Sequence, residues 1–180
     1  MAAELIQNAK KIYIVGIRSC EPLADFLGFY LNMLFDEVHV VRTNSASEIF
    51  EQLMRIGAGD VLIGISFPKY SMRTVKAMEL ANSRSAGVIS ITDSIHSPLN
   101  LYSSCNLIAR SEMASVVDSL TAPLSVINAL IVALCLKNQD SLKQSIETLD
   151  QLYDDYQIYG RDEMDPSGGE IEIFHQGSRV

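Results

Sequence analysis

Short unbroken apolar runs alternate along this chain with longer stretches in which apolar residues recur every three or four positions. The runs are 11–16, 37–41, 61–65, 87–93 and 105–109. Each is five to seven residues long, and 61–65, nearly all Val, Ile and Leu after the turn Gly57-Ala-Gly-Asp60, is the pattern of a strand buried on both faces of a parallel sheet. Between them lie helical patterns. Residues 2–10 carry Leu5, Ile6 and Ala9 on one face, and 21–35 carry Leu23, Phe26, Leu27, Tyr30, Leu31 and Leu34. A helix beginning at Ser45 or Ser47 ends near Gly57 and Gly59, and one from about Ser71 has Met72, Val75, Met78 and Ala81 as its stripe. The most apolar helix spans 123–136, and an amphipathic one spans 141–159 with Leu142, Ile146, Leu149, Leu152 and Tyr153. Five strands alternating with helices predict an α/β fold: a doubly wound, five-stranded parallel sheet flanked by helices. Residues 1–160 read as one domain. Residues 161–180, acid-rich with Pro166 and Gly168-Gly169, read as a poorly ordered tail with room for one edge strand at Glu-Ile-Glu-Ile-Phe.

The stretch from Asp60 to Thr74 organises the rest. Its apolar half, Val61 to Ile65, turns abruptly into the hydroxyl-bearing segment Ser66-Phe-Pro-Lys-Tyr-Ser71. A loop from a strand end into a helix start gathers free backbone N–H groups and the positive end of a helix dipole, which favours an anion and above all phosphate. Gly16-Ile-Arg-Ser-Cys20 makes a second corner of this kind, with Ser19 placed to cap the next helix and Pro22 suited to its first turn. In doubly wound sheets ligands sit beyond the carboxyl ends of the strands, so both corners fall on the ligand edge.

Composition narrows the reading. The 180 residues are 48% hydrophobic, enough for one good core. No apolar run approaches the roughly 18 residues a membrane span needs, and the N-terminus lacks a basic, signal-like start, so a cytoplasmic protein is expected. Cys20, Cys105 and Cys135 have no C-x-x-C spacing and fit reduced thiols better than a disulfide framework or a zinc site. A net charge of -8 argues against this chain gripping nucleic acid by itself. No G-x-G-x-x-G follows the first strand, which removes a dinucleotide-binding reading, and no cofactor or metal is expected.

Four ordered segments carry a family resemblance: Ile-Tyr-Ile-Val-Gly-Ile-Arg-Ser, Asp-Val-Leu-Ile-Gly-Ile-Ser-Phe-Pro-Lys-Tyr-Ser, Val-Ile-Ser-Ile-Thr-Asp followed by Ser-Pro-Leu, and Ser-Leu-Thr-Ala-Pro-Leu opening a long apolar helix. Over about Leu5 to Tyr159 the chain resembles a sugar isomerase (SIS) domain, and within that family the effector domain of RpiR/MurR-type transcriptional regulators. The resemblance implies a five-stranded parallel sheet whose first and third strand corners bind a phosphorylated sugar. It matches Ser19 to the family's first-corner serine, and Ser66 and Ser71 to the outer hydroxyls of a Ser-x-Ser-Gly-x-Ser/Thr phosphate loop. Between those two the sequence departs: Phe67-Pro68-Lys69-Tyr70 replaces the middle serine and the glycine, and Arg18 stands where a glycine is common. Losing glycine limits backbone approach to phosphate, for which charge-assisted contacts from Arg18 and Lys69 can compensate.

The candidate ligand-binding residues are therefore Ser19, Ser66, Ser71, Arg18 and Lys69, joined by Glu112 in Ser-Glu-Met-Ala-Ser, where the resemblance to SIS isomerases implies an acid near the sugar. Ser19 and Ser71 equally suit helix caps, whereas Ser66 at a strand end has less structural excuse. Arg18 and Lys69 otherwise read as solvated charges, and His39 as an edge or structural residue. Two functions remain. One is an effector-sensing domain that binds a sugar phosphate and signals through a homodimer or tetramer formed by the 123–136 helix. Its helix-turn-helix is expected to lie outside this chain, whose lead-in helix starts at Met1, so that the chain reads as either an excised domain or a stand-alone one. The other is a small aldose–ketose isomerase, whose enediol chemistry needs a carboxylate base and a ring-opening acid, roles open only to Glu112 and His96. The sensor, with no catalytic residues, is the expected function.

Overall fold

The computed structural model describes residues 1–42, 45–110 and 118–158. Two compact units are distinguished, Met1–Leu142 and the segment from Lys143 onward. The first holds the sheet. Its strands are β1 (Ile12–Gly16), β2 (Val38–Val40), β3 (Val61–Ile65), β4 (Gly87–Thr92) and β5 (Cys105–Ile108). All pair in parallel, in the order β2-β1-β3-β4-β5. The five strands, the parallel pairing and the α/β class are those the apolar runs predict. β1 and β3 are buried along their whole length, as central strands covered on both faces must be.

Helices cover the two faces, and the strand residues divide between them with period two. Ile12, Ile14, Ile63 and Ile89 face a core shared with α1 (Ala2–Gln7), α2 (Glu21–Asn32) and α5 (Thr121–Lys137). Tyr13, Val15, Leu62 and Val88 face the other core, built with α3 (Ala46–Gln52) and α4 (Met72–Ser83). Within α5 the buried positions are Pro123, Ile127, Leu130, Ile131 and Leu134, a helical stripe that leaves Val132 and Leu136 about half exposed (50% and 48%). Pro123 is the third residue of α5 and costs nothing there, because first-turn N–H groups have no helical partner.

Most element boundaries agree with the periodicity. α1 is shorter than its pattern, and Ser45 rather than Ser47 caps α3, in a capping box with Glu48. α6 (Gln139–Tyr156) carries its apolar stripe with none of its residues buried. Met72, expected on the apolar stripe of α4, is instead 61% exposed, because the helix begins at that residue and its first turn overhangs the strand ends. Residues 161–180, read above as a tail, lie outside the described residues.

Two glycines let helices approach the sheet beside the ligand edge. A Cβ on Gly16 would collide with the Cys20 carbonyl and touch Ala24, and one on Gly64 would collide with Met78. The first contact brings the start of α2 hard against the end of β1, and the second seats α4 on β3.

Candidate functional site

β1 and β3 are neighbours in the sheet but not in the chain, so the order of strands reverses between them. Their last residues, Gly16 and Ile65, are paired in register. The two loops that leave these strands therefore open side by side at the carboxyl edge, where a doubly wound sheet forms its ligand crevice. A cleft of about 600 Å³ lies there, lined by Ile17 to Cys20, by Ser66 to Arg73 and by Asp118.

The β3 loop is held from both faces of the sheet. Phe67 packs on the core beneath α2 and α5, and Tyr70 on the core beneath α4. Ser66 is 4% exposed and continues the sheet ladder, its N–H donating to Ile91 O at 3.2 Å. Its hydroxyl oxygen accepts the N–H of Ser71 at 3.0 Å, closing the loop on itself. That bond supplies a structural role for Ser66 that a strand-end serine does not advertise in sequence. Ser71 caps α4, accepting the Thr74 N–H at 3.5 Å. The N–H groups of Met72 and Arg73 begin the helix on the cleft side, where first-turn donors have no partner within the helix.

The β1 loop differs from its expected form. Residues Arg18–Cys20 make one turn of 3-10 helix before α2, so Cys20 rather than Ser19 occupies the capping position, and no side chain caps α2. Ser19 is exposed and lines the cleft instead. The Cys20 thiol is buried beneath the cleft, and burial pushes its pKa up; hydrogen bonds from the Phe67 backbone and the Ser19 side chain oppose this, and the Asp118 charge reinforces it. Cys20 thus ties the first corner to the second.

Both corners turn through the left-handed region, and both do so on a basic residue: Arg18 has φ 60° and Lys69 has φ 70°. A lysine or arginine held there costs about 1–2 kcal/mol relative to ordinary backbone, a cost glycine avoids. The resemblance puts a glycine at 18 and another within the 67–70 segment. Here both corners carry a cation on left-handed backbone, and Arg73 from the first turn of α4 joins them in the cleft. Asp118 is the carboxylate among the described lining residues.

The sequence reading singled out neither Arg73 nor Asp118. It also missed Tyr70, whose hydroxyl donates to Asp93 Oδ1 at 2.9 Å. Of the predicted residues, Arg18, Ser19, Ser66, Lys69 and Ser71 all meet at this cleft. His96 does not: it is exposed in the turn after β4, its N–H donating to Ser94 Oγ. His39 is exposed on edge strand β2, stacked on Tyr13 and paired with Glu37. Glu112 lies outside the described residues. No group of three His, Cys, Asp or Glu side chains arranged to hold a metal occurs among the described residues. Nor, among them, is any single helix long and apolar enough to cross a membrane.

Comparison with known proteins places this geometry. The family model for the SIS domain matches residues 5–133. The chain belongs to the SIS domain family. An uncharacterised HTH-type transcriptional regulator from Caldanaerobacter subterraneus subsp. tengcongensis is 28% identical over 159 residues, covering 84% of this chain and 54% of the regulator. The SIS domain thus spans about half the length of that curated relative. The sugar isomerase domain of an RpiR transcription factor from Sphaerobacter thermophilus superposes with a TM-score of 0.78, at 25% identity over 83% of each chain. The Vibrio vulnificus NanR protein, solved in complex with ManNAc-6P, shares the fold with a TM-score of 0.68, at 21% identity over 84% of this chain and 59% of its own.

Proposed function

We propose that this SIS domain binds a phosphorylated sugar in the cleft between the β1 and β3 corners. We further propose that it serves as the effector-sensing domain of an RpiR-type transcriptional regulator. The observation that carries the reading is the convergence of the two corners. Ser66, Ser71 and the start of α4 offer hydroxyl and N–H groups, while Arg18, Lys69 and Arg73 bring three cations to one cleft of a chain whose net charge is -8. A phosphate monoester carries about -1.5 to -2 at neutral pH, which suits three cations offset by Asp118. Ser19 and Asp118, which also line the cleft, are left for the sugar hydroxyls.

The sensor reading is favoured over an isomerase because the chain is 28% identical to an HTH-type transcriptional regulator and superposes on the sugar isomerase domain of an RpiR transcription factor with a TM-score of 0.78. Proton transfer between neighbouring carbons needs a placed base and usually an acid, without which it forfeits about 10²–10⁴ in rate. The ligand signal then passes through a homodimer or tetramer in which the half-exposed Val132 and Leu136 of the 123–136 helix meet a second copy. Contact with DNA belongs to a part other than this domain, since counterion release needs clustered cations.

The test is a panel of aldose and ketose phosphates beside the free sugars. A saturating sugar phosphate, at about 100 times its Kd, stabilises by roughly 2.7 kcal/mol, a melting shift of about 5–10 °C for a chain this size, while the free sugar shifts it little. Equal shifts from both would remove the phosphate argument. Interconversion of the panel followed by NMR, if it occurs and disappears in Glu112→Gln, makes the domain an isomerase.

A further inference from the structure

Lys69 is an exposed residue of the cleft with a constrained backbone. Its backbone is left-handed, and the residues on either side are pinned by different means. Pro68, before it, has a fixed φ. Tyr70, after it, is half-buried against the α4 core, and its hydroxyl donates to Asp93 Oδ1 at 2.9 Å. One residue further, the Ser71 N–H donates to Ser66 Oγ at 3.0 Å. Asp93 is itself held: the Thr92 hydroxyl lies 3.3 Å from the same Oδ1 and 2.9 Å from Ser97 Oγ, and Thr92 and Ser97 are buried. A polar chain thus runs from the end of β4 through Asp93 to the side chain that follows the strained lysine. Unfavourable backbone of this kind persists only where the surroundings over-determine it.

We propose that Tyr70 is a positioning residue, whose hydroxyl bond to Asp93 latches the β3 loop so that Lys69 stays in its left-handed conformation at the cleft. A glycine at 69 would adopt that backbone without a latch. The lysine needs one, and the Tyr70–Asp93 bond stands beside it. The latch accounts for how a lysine is kept on left-handed backbone at this corner. It deepens the phosphate-site reading and rests on it for its purpose, since the purpose is to present the Lys69 ammonium to the anion.

Tyr70→Phe removes the hydroxyl and keeps the ring, so the packing on α4 is preserved. The first readout needs no ligand: hydrogen exchange at the Ser71 amide, which reports closure of the loop through Ser66. Loss of one hydrogen bond to a charged acceptor raises the open fraction roughly tenfold, and Tyr70→Phe is expected to speed Ser71 exchange by that factor. Asp93→Ala does the same, whereas Asp93→Asn, which keeps an oxygen acceptor, restores most of the protection. In the Lys69→Gly background Tyr70→Phe changes exchange less than about twofold, because glycine holds the turn unaided. A plain packing role predicts no such dependence on residue 69.

The second readout is binding of inorganic phosphate as a function of salt. Tyr70→Phe lowers the affinity and flattens the salt dependence toward that of Lys69→Gly, and the double variant loses nothing further. An equal effect of Tyr70→Phe in both backgrounds, or no effect in either, overturns the latch. Absence of phosphate binding by the parent chain, with the exchange pattern as described, upholds the latch and removes the anion-site reading instead.

Discussion

Ser66→Ala separates the structural role of one hydroxyl from its proposed contact with the ligand. The hydroxyl is nearly inaccessible, at 4% exposure of its residue, and accepts the Ser71 N–H at 3.0 Å. Alanine keeps the Cβ, so no cavity of consequence forms, and the cost falls on the Ser71 N–H, which loses its acceptor. An unsatisfied buried donor costs about 1–3 kcal/mol; Ser71 is only half-buried, so water relieves part of it and about 1–1.5 kcal/mol is expected. For a chain of this length that lowers Tm by about 2–6 °C. Ligand affinity should fall by more than the loop's loosening implies. A hydrogen bond to a charged group is worth about 1.5–3 kcal/mol, or ten- to hundredfold in Kd. Calorimetric unfolding of the free protein and titration with the stabilising sugar phosphate read the two effects separately. Ser71→Ala is the control: its cap to Thr74 is long, at 3.5 Å, so it destabilises less while still weakening binding. An unchanged Tm in Ser66→Ala would refute the structural role, and unchanged affinity in both variants would place the site elsewhere.

Gly16→Ala is expected to destabilise the domain by about 1–3 kcal/mol, because its Cβ must displace the Cys20 carbonyl at the head of α2; a melting temperature equal to that of the parent would show that the corner yields freely. The Cys20 thiol has a pKa raised by burial, so its contribution to stability is present in full below the pKa of the unfolded thiol and is lost as pH rises through its folded value. Stability should accordingly fall above about pH 9, and Cys20→Ala should flatten that limb in urea titrations at pH 8, 9 and 10. Tyr13 and Tyr70, both also raised chiefly by burial, add to the fall only from about pH 10 upward, which keeps the two contributions apart.

The sheet was legible because its central strands are short and apolar on both faces, a pattern few other structures produce. Which strands lie side by side was not, since pairing between β1 and β3 depends on residues about 50 apart and leaves no local mark. The loop serines were legible for a similar reason: hydroxyls between an apolar run and a helical stripe occupy a recognisable corner. Ser19 shows where such reasoning stops. A serine before Glu-Pro resembles a cap, but a 3-10 turn intervenes and passes the capping position to Cys20. Asp118 was hidden in a polar connector and becomes a site residue only when the chain folds it over the first corner. Tyr70 and Asp93, 23 residues apart, meet only because β3 and β4 are adjacent.

The least legible feature was the backbone at 18 and 69. In sequence, a basic residue in place of glycine signals a lost turn, since lysine and arginine seldom accept positive φ. Here both positions hold left-handed backbone nonetheless. A phosphate cradle built on glycine draws on backbone N–H groups alone, and its field is that of oriented dipoles. One that carries lysine and arginine at the same two points adds full charges, at the cost of strain that the neighbouring packing must sustain. Phe67 on one face of the sheet, Tyr70 on the other and Cys20 beneath are the groups positioned to sustain it. The departure from glycine and the tightness of the surrounding packing are therefore one feature of this cleft. A change that loosens the packing should act on the anion through Arg18 and Lys69 before it acts on the fold.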